Sequence, residues 1–419
     1  LTILNAIRNY PLTELRVNLD SVLYAAEDIQ DILISSDRLF AYIENKASAG
    51  VTSVEEFLAK VPDPILPGDL EWSVTTVTVT NPERDLGDDL LVDLYLPKTS
   101  KGSSPLVVIS HGVASSRKTF SYVAEHLASY GFAVAAIEHP NTDASSLQQY
   151  IAGFEDGADP RDAIQRPSDI TAVLDFLERK DENNNSDWTG KVETDGVGVL
   201  GQSLGGYTVL AAGGAQLNLD YLEEVCSDSD KTILPFNLSL LLQCETLKLP
   251  SQNYVTHDQR IKAVLAINPV SSAVFGPAGL EQIQVPVLMI ASSNDILAPA
   301  VEEQIEPFSW LKTEEKYLLL VKNGTHFSFL PGESGGGEDV FSLPEALVGP
   351  DPKQAHPVIK AISTVFFQTY INESDEYELF LTEAFLSAPE GDEFKFALTG
   401  LLSESEIAEV LSNPRANED

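Results

Sequence analysis

The chain has 419 residues, with 26 Lys and Arg against 64 Asp and Glu and a formal net charge of −38. Such a surface repels phosphate backbones and anionic headgroups, so the expected partners include no nucleic acid. Hydrophobic residues make up 43% of the chain, enough for a sizeable core, and no apolar run is long enough for a transmembrane segment.

Elements follow in order. Leu15, Leu19, Val22, Leu23, Ala26, Ile29 and Leu33 recur at helical spacing with acids between them, which predicts an amphipathic helix. Ser53 to Glu56 reads as a capping box opening another helix, and Pro62, Pro64 and Pro67 stop helical structure. Residues 1–66 are therefore read as a helical N-terminal unit. From Leu70 the pattern becomes strand-like. Trp72 to Val79 is rich in β-branched residues, and Asp89 to Tyr95 alternates like a hairpin partner. Pro105 to Ile109, Phe132 to Ile137, Val197 to Leu200, Ile261 to Ile267, Val285 to Ala291 and Lys316 to Val321 are short apolar runs, as strands buried on both faces require. Helical patterns lie between them, one at about Arg117 to Tyr130 and one with Pro167 at its start. Strands alternating with helices predict an α/β protein with a mainly parallel sheet.

Two stretches interrupt this rhythm. Residues 216–258 are long for a connection and read as a lid or cap insertion. Residues 331–357 are rich in Gly, Pro and acid and read as a surface loop. After them, Val358 to Tyr370 reads as the last sheet-packing helix, and 371–419 as an acidic helical C-terminal extension with a second capping box at Ser403 to Glu406. The catalytic unit is thus expected over 67–370. Both cysteines, Cys226 and Cys244, fall inside the insertion. An isolated pair points to a disulfide and an oxidising compartment, the alternative being two unrelated thiols. The chain begins at Leu1 without a basic leader, which reads as a mature form that is extracellular or periplasmic. Nothing in the sequence sets an oligomeric state.

The chemistry centres on Gly201-Gln202-Ser203-Leu204-Gly205. A serine hydroxyl needs a base, a group orienting that base, and donors aimed at a developing oxyanion. Gly-x-Ser-x-Gly between a strand and an apolar helix presents the serine on a sharp turn. Ser203 is the expected nucleophile, the alternative being a helix N-cap. Of six histidines, His326 lies on a loop after a late strand, in "VKNGTHFSFL". His126 falls inside a helix, His139 and His257 come too early, and His356 has no strand before it. His326 is the expected base, and His111 the expected structural hydrogen-bonder. Asp295 follows the strand before it, in "VPVLMIASSNDILAP", and is the expected orienting acid; its alternative is an Asx-turn residue. For the oxyanion hole, the backbone N–H groups of Val113, after Gly112, and Leu204 are expected. No His/Cys/acid cluster has metal-ligand spacing, and no cofactor is expected.

The order Ser203, Asp295, His326, with "SHGVASSRKTF", "RPSDI" and "GQSLGGY", resembles the α/β-hydrolase superfamily. Within it the chain is similar to the predicted dienelactone hydrolases and the platelet-activating-factor acetylhydrolase-like esterases, over about residues 70–370. Its N-terminal unit resembles a domain of unknown function that precedes such hydrolases in cyanobacteria. The resemblance implies a serine carboxylic-ester hydrolase without a metal, acting on small-molecule or lipid-like esters. Two departures matter. True dienelactone hydrolases use cysteine where this chain has Ser203, so lactone specificity is not implied. Gln202 stands where lipases commonly have histidine. Leu217, Leu219, Leu222, Ile233, Leu234, Phe236, Leu240 and Leu241 either line the site or pack the insertion. A polyester or cutin-type hydrolase is an alternative, against which the long insertion counts, as is a hydrolase-fold protein that only binds a ligand or partner.

Overall fold

A computed structural model describes residues 19–47, 61–85, 88–98, 102–144, 146, 159–179, 188, 190–227, 237–331, 348–382 and 393–412, with backbone alone for 19–28 and 47. Nine strands form one sheet: β1 (Trp72–Val79), β2 (Leu90–Pro97), β3 (Ser104–Ser110), β4 (Ala133–Glu138), β5 (Val192–Gln202), β6 (Ile261–Ile267), β7 (Val287–Ser292), β8 (Lys316–Lys322) and β9 (Lys395–Thr399). Their spatial order is β1-β2-β4-β3-β5-β6-β7-β8-β9. β4 through β8 run parallel, while β1, β2 and β9 pair antiparallel at the two edges.

The central strands are apolar throughout because helices cover both faces. In β3, Leu106 and Val108 enter one core while Val107 and Ile109 enter the other. One face carries α1 (Leu19–Ala47), α3 (Asp162–Glu178), α4 (Leu204–Ala212) and four shorter helices: α5 (Leu219–Ser227), α6 (Leu238–Glu245), α7 (Ser272–Leu280) and α8 (Glu306–Trp310), with α11 (Glu404–Ser412) beside α1. The other face carries α2 (Ser121–Ser129), α9 (His356–Tyr370) and the short α10 (Asp375–Glu378). This mostly parallel sheet, with its strand order and two helical layers, is the α/β-hydrolase fold.

Several elements differ from the sequence reading. The first helix runs to Ala47, because Ser36, Leu39, Phe40 and Ile43 extend its buried face. Helix α3 begins at Asp162, so Pro167 lies inside it. Proline cannot donate to the carbonyl four residues earlier, and the Tyr207 hydroxyl donates to that Ala163 carbonyl instead, at 2.7 Å. The C-terminal extension, read as helical, also supplies strand β9, which pairs with β8. The capping box at its helix forms, with the Ser403 N–H donating to Glu406 Oε2 at 2.9 Å and the Glu406 N–H to Ser403 Oγ at 3.3 Å. The predicted box at Ser53 to Glu56 and most of the loop 331–357 lie outside the described residues.

Inside the insertion, Cys226 on α5 and Cys244 on α6 form a disulfide. Leu222 and Leu240 are buried in the core, Leu217 and Leu219 are half-buried, and Leu241 is exposed. Ile233, Leu234 and Phe236 lie outside the described residues. The buried Glu303 carboxylate accepts from Ser239 Oγ (2.8 Å) and Gln243 Nε2 (2.9 Å) of α6, and from the Ser271 and Ser272 N–H groups (2.9 and 3.1 Å) at the start of α7. A carboxylate so placed complements the dipole of α7 while it holds α6 down.

Candidate active site

Strand β5 ends at Gln202 and α4 starts at Leu204, leaving Ser203 at the apex with φ 58° and ψ −120°. That backbone is strained for a residue with a Cβ. It is held by its neighbours. The Ser203 N–H donates to the Ile267 carbonyl at 2.9 Å, and its own carbonyl accepts from Tyr207 N at 3.0 Å. A side chain at Gly205 would collide with the Ser110 carbonyl, so only glycine lets α4 pack this closely on β3.

Three residues predicted from the sequence meet here. His326 Nε2 lies 2.9 Å from Ser203 Oγ, and His326 Nδ1 lies 2.6 Å from Asp295 Oδ2. Asp295 is fully buried, while Ser203 and His326 retain slight exposure. The other Asp295 oxygen accepts from the Leu297 and Ala298 N–H groups at 2.9 and 2.8 Å. One carboxylate thus closes an Asx-type turn and faces the imidazole at once. Its partners fix the tautomer: Nδ1–H points at the acid and Nε2 is open to the hydroxyl proton.

Val113 and Leu204 flank the serine differently. Leu204 is the first residue of α4 and is buried; Val113 is exposed on the loop after β3. That loop is tied at several points. The Ala114 N–H donates to the Thr142 carbonyl at 2.8 Å. His111 Nδ1 lies 2.7 Å from the Gly112 carbonyl, and its Nε2 accepts the His139 N–H at 3.0 Å. A side chain on Gly112 would run into Gln202 Oε1 and the Ser203 Cβ.

Sequence reasoning missed two supports. Gln202 Nε2 donates to the His326 carbonyl at 3.2 Å, so the residue before the serine braces the histidine loop. Beneath the 111–114 loop lies a buried polar cluster. Asp169 accepts from Arg84 Nε and Nη2 and from Asn81 Nδ2, all at 2.7 Å. Its Oδ2 also takes His139 Nδ1–H at 2.7 Å, while His139 Nε2 accepts the Ser110 hydroxyl at 2.9 Å. Burial holds His111 and His139 far below the usual imidazole range, with the Arg166 cation adding to it. Arg166 is fully buried, and burial lowers its guanidinium to about 10 against the pull of Asp162 and Asp169, so it stays cationic at neutral pH. The one available signal was Arg166 and Asp169 on the same helix face as Ile170 and Val173.

A serine on a strand–helix elbow, within a sheet of this order, is the arrangement of the α/β-hydrolase fold. Residues 95–165 match the family model described as platelet-activating factor acetylhydrolase, isoform II. The match covers the loop with Gly112 and Val113 and stops before Ser203. Two curated relatives carry the name platelet-activating factor acetylhydrolase. The one from Cavia porcellus is 22% identical over 307 residues, covering 65% of this chain and 59% of the relative. The one from Canis lupus familiaris is 30% identical over 139 residues, covering 26% of this chain and 31% of the relative. The chain therefore spans less than two thirds of the length of these relatives, and it resembles a platelet-activating factor acetylhydrolase-like esterase.

Proposed function

We propose that the protein is a serine carboxylic-ester hydrolase working through an acyl-enzyme, with Ser203 as nucleophile, His326 as base and Asp295 as orienting acid. The observation that carries this reading is the continuous chain from Asp295 Oδ2 through the imidazole to Ser203 Oγ, at 2.6 and 2.9 Å, on a strained turn. Ser203 Oγ attacks the ester carbonyl carbon as His326 Nε2 takes its proton. The imidazolium that forms is stabilised by the Asp295 carboxylate. The Val113 and Leu204 N–H groups receive the oxyanion, and the dipole of α4 favours negative charge at its N-terminus. His326 then returns the proton to the leaving alcohol, and a water activated by the same nitrogen frees the acid. Nucleophile, base, acid and donors together complete this cycle with no metal step.

The relatives are named for removing an acetyl group from platelet-activating factor, so short-acyl, lipid-like esters are the substrate class to test first. In this reading residues 216–258 act as a cap, and the disulfide suits an oxidising compartment such as the cell exterior or periplasm. The test is a p-nitrophenyl ester panel from acetyl to palmitoyl with wild type and Ser203→Ala. Turnover should fall by about 10⁴-fold or more in the variant. Wild-type turnover by Ser203→Ala would overturn the proposal, and faster attack on a polyester film than on soluble esters would redirect it to polymeric substrates.

A further inference from the structure

The Arg84–Asp169–His139–Ser110 chain repeats the Asp–His–Ser order of the site, at 2.7 and 2.9 Å. Its members are buried, so no ester reaches it, and its role must be exerted through what it touches. Its central cation is Arg166. One Arg166 Nη donates to the His111 carbonyl and, at 3.3 Å, to Ser110 Oγ. The other Nη donates to Thr142 Oγ1, and Nε donates to Thr208 Oγ1 at 3.0 Å. Thr142 is the residue whose carbonyl takes the Ala114 N–H. Thr208 lies on α4, one turn past the serine, and donates to the Leu204 carbonyl at 2.7 Å.

One guanidinium therefore holds the start of the 111–114 loop directly, its end through Thr142, and the nucleophile helix through Thr208. The Val113 N–H lies between the two tethered ends. Because the peptide unit is planar and trans, the Gly112 carbonyl and the Val113 N–H point in opposite directions. The His111 Nδ1–H bond to that carbonyl thus sets the direction of the N–H. We infer that Arg166 is a positioning residue for the oxyanion site, fixing the Val113 N–H relative to Ser203 and Leu204. The inference rests on the reading above that Val113 is an oxyanion donor. Stability alone is a weak reason for such a group, since a buried charge cluster is often matched or bettered by apolar packing. Apolar packing cannot hold a carbonyl in place.

The test compares wild type with Arg166→Met, Arg166→Lys and Thr142→Val, using p-nitrophenyl acetate and an aryl trifluoromethyl ketone. The ketone adds to Ser203 as a hemiketal whose oxygen occupies the oxyanion site. In Arg166→Met, kcat should fall about 100-fold, the size of a lost oxyanion donor, with KM changing less than about threefold. The inhibition constant of the ketone should rise by the same factor. Arg166→Lys and Thr142→Val should fall between the two. The acid limb of the kcat/KM profile should not move, because His326 and Asp295 are untouched. A folded Arg166→Met with full turnover, or with lost turnover but unchanged ketone affinity or a shifted acid limb, overturns the inference. Should Arg166→Met fail to fold, Thr142→Val decides: parallel losses in kcat and ketone affinity support it, and no change in either overturns it. Ser203→Ala assayed alongside separates the two levels, since retained turnover there removes the underlying reading whatever Arg166 does.

Discussion

At the residue scale, the molecule spends its buried charges unevenly. Glu303 is ringed by donors, whereas its neighbour Glu302 has an Oε2 with no hydrogen-bond partner among the described residues. Burial pushes the Glu302 carboxyl up to about 7, with the Glu306 and Glu303 charges adding to the effect. A carboxyl raised in the folded state stabilises fully below its unfolded value and loses that contribution as pH rises through the folded one. The window here runs from about 4.5 to about 7. Glu302→Gln should therefore be more stable than wild type at pH 8, by at most about 3 kcal/mol, with the gain vanishing near pH 4. Denaturant unfolding of both proteins at the two pH values checks this; an offset independent of pH would show that Glu302 does not titrate in this window. The residues around Ser203 were readable for a local reason. Gly-x-Ser-x-Gly is a turn signal in itself, and Asp295 and His326 each follow a strand written as an apolar run. Arg166 was less readable, because its place on the buried face with Ile170 and Val173 was the sole local sign, and its partners Thr142, Thr208 and His111 come from distant segments.

At the element scale, α5 and α6 are fastened in two ways. The Cys226–Cys244 bridge closes an 18-residue separation, and Glu303 with Gln243 ties α6 to α7, where Gln243 Oε1 accepts the Ala273 and Val274 N–H groups at 2.8 and 2.9 Å. A disulfide over that span stabilises by about 3 kcal/mol. Reduction should lower the melting temperature by roughly 3–6 °C while turnover of a short soluble ester persists, because the Glu303 anchor survives. Thermal melts and p-nitrophenyl acetate assays with and without reductant check both halves. The central strands were legible where burial on both faces leaves an apolar signature; in β5 only the buried half was read, as Val197 to Leu200, and its more exposed start from Val192 was not. Strand β9 was not legible. It is five residues long, follows an acidic stretch, and owes its conformation to β8, more than seventy residues earlier.

At the scale of the whole molecule, α1, β9 and α11 form one joint over the β8 edge. Tyr42 Oη and Lys46 Nζ both donate to Glu406 Oε1, at 2.8 and 2.6 Å, and Lys46 also donates to the Leu401 carbonyl at 2.9 Å. Lys322 of β8 lies 3.6 Å from Asp37 of α1. An uncovered edge strand recruits other chains. A chain ended at residue 382 would bare β8, and it should elute as aggregate in size exclusion and melt below the full chain. A monomeric product with an unchanged melt would show that β9 is dispensable.

That joint also sets an order of events during synthesis. Lys46 and Glu406 are 360 residues apart, which at ribosomal speeds is roughly 20–70 s. For most of that time Leu39, Phe40 and Ile43 lack the surface their helix packs on, because β8 is complete only at Lys322 and β9 and α11 follow later still. Helix α1 therefore docks only after elements made long after it. The nascent chain thus carries an open apolar stripe from the completion of α1 until β9 and α11 are made, and the sheet with Ser203, Asp295 and His326 can close before the stripe is fully covered.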